Sequence, residues 1–344
     1  MNRNVILAHT RTAVRVILFS IVGTGVAAGT GFAGAHLYLE SENPTPSTWP
    51  SALRFSYRAA VFNSKYLDQQ ETARLGLLTA LGQEDLEVES SLGKDHTSSN
   101  TTVSNNKTPL DLTKAFILLG QIEKKQGLLK AAMDHFSRAL ASGVPNNNLR
   151  SLAARHLGEL QENFGMKSEA QASFDLAVGS LLPNYQRGST VRLDGSMKYS
   201  PELLDAVKAL ALFRARQGDF KNALSSLLSI LQFQRQSPAV TGSSCHTAST
   251  MSNIAEIVWA LGDQAECRRW CTDSLAICTS AKNKRDQYCI ECAGINQNML
   301  GLLSKRDGDV QTARNQFRSA MMCAEMAKDE NGLNEYASNL EQCG

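Results

Sequence analysis

The chain has 344 residues, 42% apolar, 20% charged and 6% aromatic, which provides for a sizeable core of short aliphatic side chains and excludes collagen-like and wholly disordered classes. Formal charge is +2, yet Arg3, Arg11 and Arg15 stand in an acid-free N-terminus, so 32 basic residues face 33 acidic ones downstream. The body has no surplus of charge for gripping nucleic acid.

Residues 1–15 are basic, acid-free and carry hydroxyls at Thr10 and Thr12, the composition of a mitochondrial targeting segment. Residues 16–39 contain no Asp, Glu, Lys or Arg. As a helix they would extend about 36 Å, enough to cross a hydrocarbon core of about 30 Å, and they are predicted to form a single transmembrane helix. Gly25, Gly29 and Ala33 fall at four-residue steps, so they form either a close helix-packing face or lipid-facing filler. Arginines before the span and Glu40 and Glu42 after it are expected to place the N-terminus in the matrix or cytosol and the body across the membrane, which for a mitochondrial inner-membrane protein is the intermembrane space. The competing reading is a secretory signal, with Ala33-Gly34-Ala35 as cleavage site and glycosylation acceptors at Asn100 and Asn106.

Residues 40–50, with Pro44, Pro46 and Pro50, read as a stalk, and 51–83 as a helical hairpin with Leu53, Tyr57, Val61, Leu75 and Leu78 on its apolar face. Residues 84–109 pass from acidic to Ser/Thr/Asn-rich and are expected to be a disordered insertion, holding too little apolar surface to offset ordering entropy. Residues 110–344 are repetitive. Five glycines mark the register: Gly127, Gly165, Gly218, Gly262 and Gly308. Seven residues before them stand small residues, Gly120, Gly158, Ala211, Ala255 and Gly301. Five residues after them come Ala132, Ala170, Ala223, Cys267 and Ala313, and nine after them Phe136, Phe174, Leu227, Cys271 and Phe317.

This is the tetratricopeptide pattern, in which paired helices stack and each large side chain plugs the gap to the next repeat. The fold expected is therefore all-α: a tetratricopeptide superhelical solenoid of five repeats after one N-terminal transmembrane helix. The hairpin at 51–83 is a degenerate first repeat, and 333–343 is a capping helix.

No phosphate loop, nucleophile elbow or zinc-protease helix occurs, so no catalytic residue and no cofactor are assigned and a binding role is favoured over an enzyme. His135 and His156 read as ordinary helix-surface residues. All eight cysteines lie in the last hundred residues. Cys267, Cys271 and Cys278 share one helical stripe and read as buried thiols. Cys245-His246 and Cys289-x-x-Cys292 open successive first helices, and three states are open there: free packed thiols, a disulfide from Cys245 to Cys289 or Cys292, or zinc on Cys245, His246, Cys289 and Cys292.

First helices of such repeats line a groove for extended peptides, with Lys124, Arg155, Glu159, Lys208, Asn253, Glu256 and Asn298 as its polar candidates, each of which could equally be a solvated surface residue. A chaperone-carboxylate clamp is not supported, since its Lys and Asn positions hold Ile117 with Gln121, Arg155 with Glu159, and Lys208 with Leu212.

Leu157-Gly158-Glu159-Leu160, Ser200-Pro201-Glu202-Leu203-Leu204, Ser244-Cys245-His246-Thr247 and Cys289-x-x-Cys292-Ala293 resemble the fungal mitochondrial tetratricopeptide subunit of the i-AAA protease adaptor. That resemblance implies an inner-membrane protein that binds unfolded or misfolded membrane-protein substrates and helps deliver them to the protease. Its partners would be protease subunits and unfolded clients, with no small-molecule substrate. A respiratory-complex assembly factor or a mitochondrial import receptor are the alternatives.

Overall fold

The computed structural model describes residues 38–92, 111–142, 146–193, 199–236, 244–280, 283 and 286–343. The expected targeting segment, Gly25, Gly29, Ala33 and all but the last two positions of the expected membrane span lie outside these residues. Among the described residues no helix is long and apolar enough to cross a membrane, and no strand occurs. The chain divides into two compact units, the first ending at Gly165 and the second beginning at Met166.

The first unit follows a helical turn at 38–42 with α1 (Ser51–Tyr66), α2 (Gln70–Leu92), α3 (Thr113–Lys125), α4 (Leu129–Ala141) and α5 (Asn147–Asn163). Each helix packs on the next, and α1, α3 and α5 also touch side by side. The second unit holds α6 (Lys167–Leu181), α7 (Pro201–Arg216), α8 (Phe220–Gln236), α9 (Ser244–Ala260), α10 (Gln264–Cys278), α11 (Gln287–Arg306), α12 (Val310–Ala327) and α13 (Glu330–Glu341). Here α7, α9, α11 and α13 are the helices that touch side by side across the hairpins.

The register glycines explain the hairpins. All five have positive φ, between 74° and 88°. After α3, Gly127 donates to Lys124 O (3.2 Å) and Leu128 to Glu123 O (2.9 Å), a closure in which the left-handed residue satisfies two otherwise unpaired helix carbonyls. In the second unit an Asp follows directly: Asp263 and Asp309 each close one helix through their N–H and cap the next through their carboxylate. One residue thus ends one helix and starts another.

The small residue seven before Gly127 and Gly308 faces the second helix of its own hairpin. A Cβ added to Gly120 would meet the Phe136 ring at 2.9 Å, and one added to Gly301 would meet Phe317 at 2.6 Å. The small residue of the first helix therefore makes room for the large aromatic of the second. The alanines at the shorter offset, Ala132, Ala170, Ala223 and Ala313, are completely buried.

Three boundaries move. The expected stalk packs against the first unit: Trp49 joins its core together with Leu39, the last position of the expected membrane span, and Trp49 Nε1 donates to Asp111 O at 2.5 Å. A buried indole with a satisfied N–H removes a large apolar area from water, which a free stalk would leave exposed. α2 runs on to Leu92, into the segment expected to be disordered; 93–110 lie outside the described residues. The last helix begins at Glu330, because Lys328 adopts the left-handed conformation (φ 58°) and Asp329 caps Gly332 N–H, repeating the Gly-Asp turn without a glycine.

Candidate functional site

In the first unit, α1, α3 and α5 frame a cleft of about 720 Å³. Its apolar lining comes from Tyr57, Val61, Ile117, Leu118, Leu149 and Leu152, with Lys65, Lys114 and Lys125 among its cations. Lys114 is occupied by Pro44 O at 2.6 Å, and the Tyr66 hydroxyl is buried without a partner among the described residues.

The three groove candidates of this unit come together. Lys124 Nζ lies 2.5 Å from Glu159 Oε2 and Arg155 3.8 Å from Oε1, while His156 Nδ1 is 3.2 Å from Glu159. Burial raises the Glu159 pKa, but hydrogen bonding and charge from His156 and then Lys124 outweigh it and hold the group at about 2. The cluster ties α3 to α5 and leaves Glu159 committed to internal partners. His156 also stacks on Phe136, and His135, expected on the surface, is buried with Nδ1 2.7 Å from Glu123, which Arg74 reaches at 3.2 Å from α2. A carboxylate buried in the last turn of α3 draws these two groups inward, because leaving it unpaired would cost far more than ordering them.

The second unit presents its candidates on the α7–α9–α11–α13 face. Lys208 Nζ donates to Ser249 Oγ (2.7 Å) and Tyr288 Oη (3.2 Å), Tyr288 donates to Ser249 (2.9 Å), and the Tyr288 ring lies 5.1 Å from that of His246. Asn298 is buried, donating to Glu335 (3.0 Å) and accepting from Asn339 (2.9 Å) on α13. Asn253 is half-buried, with an amide nitrogen lacking a partner among the described residues. Glu256 meets solvent, yet surrounding protein desolvates its carboxyl and pushes its pKa up; Arg216 opposes the rise and Glu335 adds to it.

Along α9 the outward positions are His246, Ser249, Asn253 and Glu256, and along α11 they are Tyr288, Glu291 and Ile295. Ser249, Tyr288, Ile295, Glu335 and Asn339 were not among the sequence candidates. Extending the three-and-four spacing of Asn253 and Asn298 along each helix would have reached the first three.

At the cysteine corner Cys245 and Cys289 form a disulfide with Cα atoms 5.1 Å apart, closing a 44-residue separation. In the chain-entropy description such a loop is worth roughly 3–4 kcal/mol. Of the three states left open here the structure has the disulfide, and the zinc alternative's ligand set is not assembled: two of its sulfurs are bonded to each other, and His246 faces Tyr288. The one group of described residues with metal-ligand spacing, Cys245, Asp286 and Cys289, contains the same two sulfurs. Cys267, Cys271, Cys278 and Cys292 are buried free thiols.

No family model matches the chain, and no curated protein matches it. Among solved structures, BtubC (BKLC) from P. vanneervenii aligns with a TM-score of 0.50 and 15% identity, covering 81% of this chain and 94% of that one. PilW, a widely conserved type IV pilus biogenesis factor, aligns with a TM-score of 0.51 and 12% identity over 84% of this chain and 100% of that one. TTC0263, a thermophilic TPR protein of Thermus thermophilus, aligns at 0.43 and 21% identity over 67% and 99%. The first two likenesses show an all-helical fold of stacked hairpins, and the glycine register with small residues under large aromatics makes the repeats tetratricopeptide in type.

Proposed function

We propose that this chain is a non-enzymatic adaptor whose first-helix faces hold extended or unfolded segments of other proteins. The observation that carries the reading is the cleft of about 720 Å³ between α1, α3 and α5, with an apolar lining and lysines among its lining residues. Apolar lining suits exposed side chains of an unfolded client, and the polar groups engage its backbone or charges.

The finer reading rests on the resemblance to the i-AAA adaptor subunit. The chain is anchored in the mitochondrial inner membrane by 16–39 with its repeats in the intermembrane space, and it brings misfolded membrane proteins to AAA protease subunits. The Cys245–Cys289 bridge supports a compartment in which thiols become oxidised. Tethering lets each contact be weak, because a client held beside a membrane-bound protease rebinds before it diffuses away.

The test is affinity purification from mitochondrial membranes in mild detergent, comparing the full chain with one lacking residues 51–344. AAA protease subunits are expected with the full chain alone. Recovery of respiratory-complex subunits or import components in their place overturns the protease reading.

A further inference from the structure

We propose that the cleft of the first unit selects acidic segments: an extended stretch of a partner protein in which apolar side chains are flanked by two carboxylates, received by the lysines near either end of α3. This deepens the reading given above and rests on it, since it takes that cleft as the place where a partner lies.

The cations of α1 and α3 fall into two sets. Arg54 and Arg58 of α1 pair with Glu40, at 3.8 and 2.8 Å, and Lys124 of α3 pairs with Glu159 at 2.5 Å. Lys65, Lys114 and Lys125 have no ion pair among the described residues, and all three line the cleft. Lys114 donates to the Pro44 carbonyl, a neutral group that leaves its charge uncompensated, and the Lys65 ammonium lies 5.5 Å from the centre of the Tyr66 ring. The acids of the lining, Glu42 and Asp68, stand before and after α1, so the walls that α1 and α3 supply carry cations and no acid.

An ammonium without a counter-charge beside an apolar wall favours an anion, and more so once an entering segment displaces water. Tyr66 adds a donor, since its buried hydroxyl has no partner among the described residues and a carboxylate or carbonyl oxygen in the cleft would accept from it.

The spacing on α3 sets the register of the occupant. Lys114, Leu118, Gln121 and Lys125 form one stripe, at i, i+4, i+7 and i+11, so two cations bracket an apolar position and an amide. Eleven residues of helix rise about 17 Å, which an extended chain covers in about five residues. Alternate side chains of an extended chain share a face, so the two carboxylates stand four or six residues apart, a difference that flexible lysine stems absorb. The side chains between them rest on Leu118 of α3 and on Leu149 and Leu152 of α5.

Two fluorescent peptides of equal length test this on the full chain, one with two glutamates four residues apart and leucines between them, the other with glutamines in place of the glutamates. The glutamate peptide is expected to bind roughly fivefold or more tightly at low salt, with the advantage shrinking as salt is raised. In a Lys114→Gln, Lys125→Gln chain its affinity is expected to fall to that of the glutamine peptide, whose own binding stays unchanged. Equal binding of both peptides, lost in a folded Leu118→Ser chain, overturns the acidic preference and leaves the cleft reading standing. Binding that Leu118→Ser does not weaken, or no binding of either peptide, overturns the cleft reading and this inference with it.

Discussion

Replacing Arg214 with methionine is expected to destabilise the second unit by about 3–5 kcal/mol, one of the largest effects of any single substitution here. Arg214 and Asp175 are both almost fully buried, 4% and 5% exposed, yet their closest charged atoms are 3.8 Å apart. Tyr185 mediates between them, donating its hydroxyl to Asp175 and accepting from Arg214 Nη2 at 3.1 Å, and Arg214 Nη1 donates to Ser189 O at 2.8 Å. Burial first, then the bond to Asp175 and its charge, push the Tyr185 phenol well above its ordinary pKa, so it stays a donor.

Arg214→Met leaves the Asp175 carboxylate with a single neutral donor in a dry site and frees the α6–α7 loop, whose length makes this repeat the longest of the set. Adding Asp175→Leu should recover most of the loss, because two apolar replacements remove both desolvation costs. Hydrogen exchange in α6 and α7 reads the result: roughly a hundredfold or greater acceleration in the single variant and much less in the double. Equal acceleration in both would show that the charges are not what holds this loop.

The second large effect is Phe317→Ala, expected to cost about 3–5 kcal/mol, since a completely buried ring leaves a cavity over Gly301. Its counterpart tests the packing rule. Gly301→Ala should destabilise by about 1–3 kcal/mol, because its Cβ meets the ring at 2.6 Å and overpacking outweighs the gain in helix propensity. Gly76→Ala in α2 should stabilise by up to about 1 kcal/mol, since nothing lies within 4 Å of its Cβ. Thermal unfolding of the three variants measures the signs, and a stabilising Gly301→Ala would refute the small-under-large account.

What the sequence made legible follows from the kind of signal each feature leaves. The five register glycines sit where a left-handed turn excludes side chains, so they recur at fixed offsets and can be read from one chain. Lys328 and Asp68 occupy the same backbone region without being glycine, and those two turns left no mark to read. Buried charges were invisible for a different reason. Glu123, Asp175 and Arg214 look like surface residues until their partners arrive from 10 to 49 positions away.

The face proposed to bind partners was half legible. Helical spacing pointed to Lys208, Asn253, Glu256 and Asn298, and these lie on the α7–α9–α11–α13 face. Lys124, Arg155 and Glu159 instead close on one another, because the spacing of one helix does not reveal that its neighbour carries the opposite charge. The disulfide needed sulfur positions: two cysteines three apart at the start of α11 are equivalent in sequence, and only their directions assign Cys289 to Cys245.

The central claim is that the first-helix faces, and not the outer helices, hold protein partners. A photo-crosslinking residue placed singly at Lys208 or Ile295 on that face, and at the exposed Met322 or Met326 on α12, tests it in the full chain. The account predicts crosslinks to other proteins from Lys208 and Ile295 and few from the two methionine positions. Crosslinks of equal yield from both sets, or from α12 alone, would contradict it.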